Sequence, residues 1–326
     1  MLQNLIKQIQ IPMRNIPRTF SVTTKNFSLK SEEAAPIGVE DAIKDWRGRL
    51  RKAGVGDIDF NLKCIVAHVL KRKFNTISDY LSTSLNDKQV QELNRLCEAR
   101  CGRMPLQYII GEWDFMNITL RTAPTVFIPR PETEEFVQKV INEYRDVSEL
   151  NLLEVGCGSG AMSLAILHEL PQVRSFAIER SLTATHLAKE NAKLLDLEDR
   201  FEVFNHIMEA DNYLPPELCE KTFDVIISNP PYVKTEEFQY LQPEVTAYEN
   251  LNALDGGPDG LKVARLVFNL ASLYLRFGGK LWLELGTDHP QLVKRIMNRQ
   301  YSGRLKYIAG YKDQYKQERF VEIERV

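Results

Sequence analysis

Leu152-Leu153-Glu154-Val155-Gly156-Cys157-Gly158-Ser159-Gly160-Ala161-Met162 is the stretch that decides the fold. A short apolar strand pattern runs into three glycines at alternate positions, and a helical pattern over Met162–Glu169 follows. Glycines between a strand and a helix let the backbone turn tightly and come close to a ligand. A nucleoside-like ligand is therefore expected at this loop. The G-x-G-x-G spacing is one residue shorter than the dinucleotide fingerprint, and no G-x-x-x-x-G-K-[ST] phosphate loop occurs, which turns the reading away from NAD and ATP. Glu179 ends the next strand pattern 19 positions after Gly160. A carboxylate there can accept hydrogen bonds from both ribose hydroxyls.

Outward from this loop, strand patterns at Leu152–Val155, Ser175–Glu179, Phe201–Phe204, Phe223–Ser228, Leu281–Leu285, Leu305–Ala309 and Phe320–Glu324 alternate with helical ones. The helices are expected at Met162–Glu169, Thr183–Leu194, Leu261–Arg276 and Gln291–Arg299, with another opening at Pro131, where Glu132, Glu134 and Glu135 suit a helix N-terminus. Such alternation predicts a mostly parallel α/β sheet covered on both faces, with function gathered in the loops after the strands.

Ser228-Asn229-Pro230-Pro231-Tyr232 follows the fourth strand pattern. Two prolines fix their backbone angles and remove two N–H donors, leaving rigid carbonyl acceptors where a donor-rich group can bind. An NH₂ group fits. The lone pair of an amide or exocyclic amine nitrogen is delocalised, so both N–H bonds must be held before it can attack. Asn229 Oδ1 and the Pro230 carbonyl can accept the two hydrogens, and Tyr232 can stack on the flat acceptor group.

Upstream, apolar residues recur at helical spacing from Ile43 through Cys97, broken at Gly54–Asp57 and at Ser84–Asp87, where Asn86 or Asp87 suits an N-cap. A small helical bundle is predicted over residues 36–103. Tyr108–Ile110 and Ile118–Leu120 read as two short strands of a β-hairpin linker over 104–125, ahead of a domain spanning 126–326. Residues 1–31 hold Lys7, Arg14, Arg18, Lys25 and Lys30 with several hydroxyl side chains and no acid, the pattern of a mitochondrial transit peptide. The remaining 37 of the 42 basic residues face all 44 acidic ones, a net charge near −7 that speaks against a nucleic-acid substrate. No apolar run approaches the ~20 residues of a membrane span. The five irregularly spaced cysteines suggest neither a disulfide framework nor a metal site and fit the reducing mitochondrial matrix.

Glycine loop and acidic strand end together resemble the Rossmann-like S-adenosylmethionine methyltransferases. That resemblance implies S-adenosylmethionine as cofactor, held by Gly156, Cys157, Gly158, Ser159, Gly160, Glu179 and Asn229, with His206 and Met208 near the adenine. Asn229-Pro230-Pro231-Tyr232 resembles the signature of amino-methyltransferases acting on adenine, guanine or glutamine. Two further stretches, Arg103–Gly111 with Phe115, and Val126-Phe127-Ile128-Pro129-Arg130-Pro131-Glu132-Thr133-Glu134, are similar to the release factor glutamine methyltransferases, as are Glu249, the Ala253–Leu261 turn, Gly278-Gly279 and Glu284. The likeness spans roughly residues 40–326. It implies a seven-stranded methyltransferase domain behind a helical domain that docks a release factor. The substrate is then the glutamine of the factor's Gly-Gly-Gln motif, entering a pocket shaped by Phe127, Pro129, Arg130, Pro131 and Glu132. Methylation of adenine or guanine in nucleic acid is the alternative. A non-catalytic ribosome-associated protein on the same fold is disfavoured by the intact glycine and Asn229–Tyr232 loops.

Overall fold

The computed structural model describes residues 37–326, so the leader assigned to 1–31 lies outside the described residues. β1 (Ile37–Gly38) pairs with β2 (Ser84–Leu85) beside three helices, α1 (Val39–Lys52), α2 (Ile58–Leu70) and α3 (Asp87–Cys101). Val39, Ile43, Trp46 and Leu50 recur every three or four residues along α1 and are all buried, the single stripe that a 3.6-residue period produces. They pack with Leu62, Ile65, Leu93, Leu96 and Cys97. Asn86 caps α3 as a capping box, its side chain accepting from the Gln89 N–H while the Gln89 side chain accepts from the Asn86 N–H.

The strand expected at Tyr108–Ile110 is instead a short helix, α4 (Leu106–Ile110). Leu106 and Ile109, three residues apart, both enter the bundle core, and Gly111 at φ +80° closes the turn. An apolar run this short carries no period of its own, so the packing partner decides its form. The hairpin proper, β3 (Glu112–Phe115) with β4 (Ile118–Arg121), begins only after Gly111.

The remaining elements are α5 (Pro131–Tyr144), β5 (Leu150–Val155), α6 (Ala161–Glu169), β6 (Val173–Glu179), α7 (Leu182–Leu194), β7 (Phe201–Asn205), β8 (Phe223–Ser228), α8 (Pro243–Tyr248), α9 (Lys262–Tyr274), β9 (Leu275–Glu284), α10 (Pro290–Gln300), β10 (Leu305–Lys312) and β11 (Glu318–Arg325). One seven-stranded sheet has the order β10-β11-β9-β8-β5-β6-β7, and only β11 runs against the rest. Phe136, Val140, Leu164 and Ala188 from α5, α6 and α7 cover one face. Val267, Phe268, Val293 and Met297 from α9 and α10 cover the other.

β9 starts six residues earlier than the sequence pattern suggested, because Leu275 already pairs with Phe223 and the helix before it ends at Tyr274. Gly278 at φ +74° then kinks the strand, and pairing resumes in shifted register at Lys280. Strand order reverses between β5 and β8. A crevice opens at their carboxyl ends, where the glycine loop and the Asn229 loop both lie.

Residues 235–254 form a strap of two 3₁₀ turns flanking α8. Glu244 of α8 takes both Arg100, at 3.0 Å, and Arg103, at 2.5 Å, and the Tyr248 hydroxyl donates to the Gly102 carbonyl. Both arginines are thus engaged within the chain, whereas exposed Arg95 pairs with Glu92. Removing the carboxylate from this part-buried ion group leaves two guanidiniums without their charge partner. Glu244→Ala is expected to cost about 2 kcal/mol in urea unfolding, between the exposed and the fully buried case. A loss below about 1 kcal/mol, the range of exposed pairs, would mean that solvent already screens this contact.

Candidate active site

Gly156 (φ +77°) and Gly158 (φ +56°) form the floor of the crevice, and a Cβ built on either would meet nothing within 4 Å. The open space there belongs to a ligand, and side chains at those backbone angles would be strained. Gly160 is different. It caps α6 at φ +85°, and a Cβ would press Leu164 at 3.0 Å and Ala188 at 3.4 Å, so this glycine serves helix packing rather than the cleft lining. Cys157 and Ser159 line the cleft between them; the Ser159 carbonyl is fixed by Asn191 Nδ2 at 2.9 Å.

Glu179 ends β6 with one carboxylate oxygen on the Gly158 N–H at 3.0 Å and the other on the Ser181 N–H at 2.8 Å. Burial raises its pKa, and those two N–H donors pull it back. The carboxylate therefore holds the glycine loop and still has lone pairs free for hydroxyl donors in the cleft. Glu154 lies beneath, fully buried, with Oε2 accepting from the Ser163 N–H at 3.0 Å and from the Ser163 hydroxyl, while Oε1 has no partner. Burial pushes this carboxyl up to about 8. An orphaned acceptor among open glycines suits a ligand with a cationic or hydroxyl donor, as the amino acid and ribose parts of S-adenosylmethionine provide.

His206 and Met208 both line the cleft, together with Ile207, which is 55% exposed. The His206 N–H donates to the Glu179 carbonyl at 2.9 Å and its Nε2 lies 3.1 Å from the Asn212 carbonyl, so backbone contacts hold the ring. The loop offers an apolar surface to a flat base.

On the other side of the switch, Asn229, Pro230, Pro231 and Tyr232 all line the same cleft. Asn229 Nδ2 donates to Thr133 Oγ1 at 3.4 Å, leaving Oδ1 as the end available to a substrate. Behind them sits Glu284, 1% exposed, whose carboxyl is pushed up to about 7 by burial against the pull of the Thr133 hydroxyl, the Arg319 guanidinium and the Asn229 amide. Burial likewise raises the Tyr232 phenol, which stays neutral.

Phe127, Pro129 and Arg130 line the cleft mouth, and the Arg130 guanidinium lies 4.8 Å from the Phe127 ring centre and 2.5 Å from Glu249 Oε1. Pro131 and Glu132 are not part of this lining. Helix α5 begins at Pro131, and Thr133 is the residue of its first turn that reaches the cleft lining. Thr133 belongs to the quoted Val126–Glu134 stretch, but nothing local marks it as a site residue, since a threonine in a helix's first turn is ordinary. The cleft encloses about 290 Å³.

The PrmC N-terminal domain family matches residues 41–111, and the methyltransferase small domain family matches residues 117–246. The MTRF1L release factor glutamine methyltransferase of Homo sapiens is 37% identical over 320 residues, covering 93% of this chain and 94% of its own. The release factor glutamine methyltransferase of Thermodesulfovibrio yellowstonii is 36% identical over 248 residues, 74% of this chain and 86% of its own. That of Caulobacter vibrioides is 35% identical over 259 residues, covering 78% and 87% respectively.

Buried acids in the ligand-free cleft give a stability signature. An unfolded glutamate loses its proton near about pH 4.3, whereas Glu154 keeps its proton up to about 8. Between those values the folded state binds the extra proton, so stability falls as pH rises. Glu154→Gln removes the titration. In thermal melts of the ligand-free protein, its stability relative to wild type should improve steadily from about pH 5 to about pH 8. A constant difference across that range would show that Glu154 ionises equally in both states.

Proposed function

The chain belongs to the release factor glutamine methyltransferases, and from that premise we propose that it methylates the side-chain amide nitrogen of the glutamine in the Gly-Gly-Gln motif of a mitochondrial release factor, using S-adenosylmethionine in the matrix. One observation carries this reading: the open glycine loop and the Asn229–Tyr232 loop meet in one cleft at the β5/β8 switch. The basic, acid-free segment 1–31 supports the compartment.

S-adenosylmethionine supplies an electrophilic methyl on a positively charged sulfur. Gly156, Gly158, Glu179 and Glu154 would hold its amino acid and ribose parts, with His206, Ile207 and Met208 beside the base. The chemical difficulty lies in the acceptor, because an amide nitrogen shares its lone pair with the carbonyl. Asn229 Oδ1 and the Pro230 carbonyl accept the two N–H bonds, hold the amide plane and turn the nitrogen toward the cofactor side of the cleft. Positioning of this kind supplies much of the rate, and the same two acceptors stabilise positive charge growing on nitrogen. Tyr232 and Phe127 flank the amide and keep water away.

The deciding assay incubates the full chain with labelled S-adenosylmethionine and a mitochondrial release factor, either native or with the motif glutamine replaced by alanine. Label on that glutamine alone is expected. Transfer to mitochondrial RNA or DNA and none to the factor would replace this reading with nucleic-acid methylation. Asn229→Ala should lower the methylation rate by roughly 10²–10³ while leaving cofactor affinity nearly intact, as removal of one preorganised polar contact does elsewhere. Glu179→Ala should weaken cofactor affinity by about 1–3 kcal/mol in titration calorimetry, through lost charge-assisted hydrogen bonds. Normal affinity in that variant would remove Glu179 from the binding site.

A further inference from the structure

The Asn229 side chain can present either end of its amide to the cleft, and only one end suits an NH₂ group. Oxygen accepts; nitrogen would set donor against donor. What selects the end lies behind the loop. Thr133 Oγ1 is 3.4 Å from Asn229 Nδ2, and Thr133 is 3% exposed in the first turn of α5. Glu284, the last residue of β9, is buried behind them, with the Thr133 hydroxyl and the Asn229 amide pulling its pKa down against burial, and its Oε2 has no hydrogen-bond partner.

An ionised carboxylate can only accept, so the Thr133 hydroxyl must donate to it, and Thr133 Oγ1 is then left to accept from Asn229 Nδ2. We propose that Glu284 and Thr133 are positioning residues, a polarised chain that turns the Asn229 carbonyl oxygen toward the substrate amide. This rests on the reading of Asn229 given above. The charged and titratable groups that face Glu284 are Arg319 on β11 and Glu132 on α5, and Tyr232 and Arg130 share their field; Arg319 is itself paired with Asp313 at 3.0 Å. Because Glu284 titrates near about 7, a protonated carboxyl at lower pH can donate to Thr133 Oγ1, and the chain then loses its direction.

The test compares Thr133→Val, Thr133→Ser and Glu284→Gln, reading kcat and KM for the release factor, cofactor affinity by calorimetry, and kcat against pH. Thr133→Val keeps the shape and removes the hydroxyl. It should lower kcat by roughly 10- to 100-fold with KM and cofactor affinity changed less than about twofold, and Thr133→Ser should recover to within about threefold of wild type. Glu284→Gln can donate as well as accept, so kcat should fall and the acidic limb near about pH 7 should disappear. A valine variant at the wild-type rate, a serine variant as slow as valine, cofactor affinity falling in step with rate, or an unchanged pH profile in Glu284→Gln each overturns the proposal. Wild-type enzyme that leaves the release factor unmethylated overturns the reading of the site instead.

Discussion

Ser228 Oγ donates to the Val155 carbonyl at 2.7 Å in the middle of the sheet, and the whole site depends on that contact. Val155 and Ser228 are register partners, the last residues of β5 and β8, and each is followed at once by a functional loop. Gly156 continues one strand and Asn229 the other. Because strand order reverses between these two strands, no helix crosses the gap, and the two loops open side by side. The hydroxyl bond locks the strand ends at the point where sheet pairing gives out. A shift of one residue in register there would exchange the faces of every side chain beyond it.

Carboxyls held in surroundings that disfavour their charge border the cleft, two in its lining and one behind it. Glu154, Glu179 and Glu284 are all nearly buried, and burial is the largest influence on each. Their partners differ, and so do their tasks. Glu179 keeps two backbone N–H donors that organise the glycine turn, while Glu154 is left with one free oxygen. Glu284 faces a threonine and an asparagine and lies behind the acceptor rather than in front of it. Unpaired buried acceptors lower the stability of the empty protein. Here they remain because a ligand or a neighbour can satisfy them.

Much of this was legible from local signals. Glycines at alternate positions, a proline pair after a strand and strand–helix alternation each leave a mark within a few residues, and the strands at Phe201 and Phe223 begin where their patterns begin. Loop residues 156–159 and 229–232 all reached the cleft for that reason. Contacts between distant side chains leave no such mark. Thr133 meets Asn229 across 96 positions and Glu244 meets Arg100 across 144, and neither partner stands out in its own neighbourhood. Pro131 and Glu132 stand beside the lining rather than in it, since a motif shows which residues travel together but not which of them reaches the cleft. Tyr108–Ile110 failed on length, five residues being too few to display a period.

The strap joins these levels. It leaves the Asn229 loop through Val233, passes α8 against Arg100 and Arg103 of the helical module, and returns beside Val233 through Leu254 and Asp255. On the way Glu249 takes Arg130 at the cleft mouth and pairs by backbone with Thr125. The helical module is thereby tied to the residues that border the acceptor site through part-buried charge contacts. The module is therefore joined to the cleft mouth by several side-chain contacts as well as by the chain itself. Arg100 and Arg103 are thereby spent on contacts within the chain.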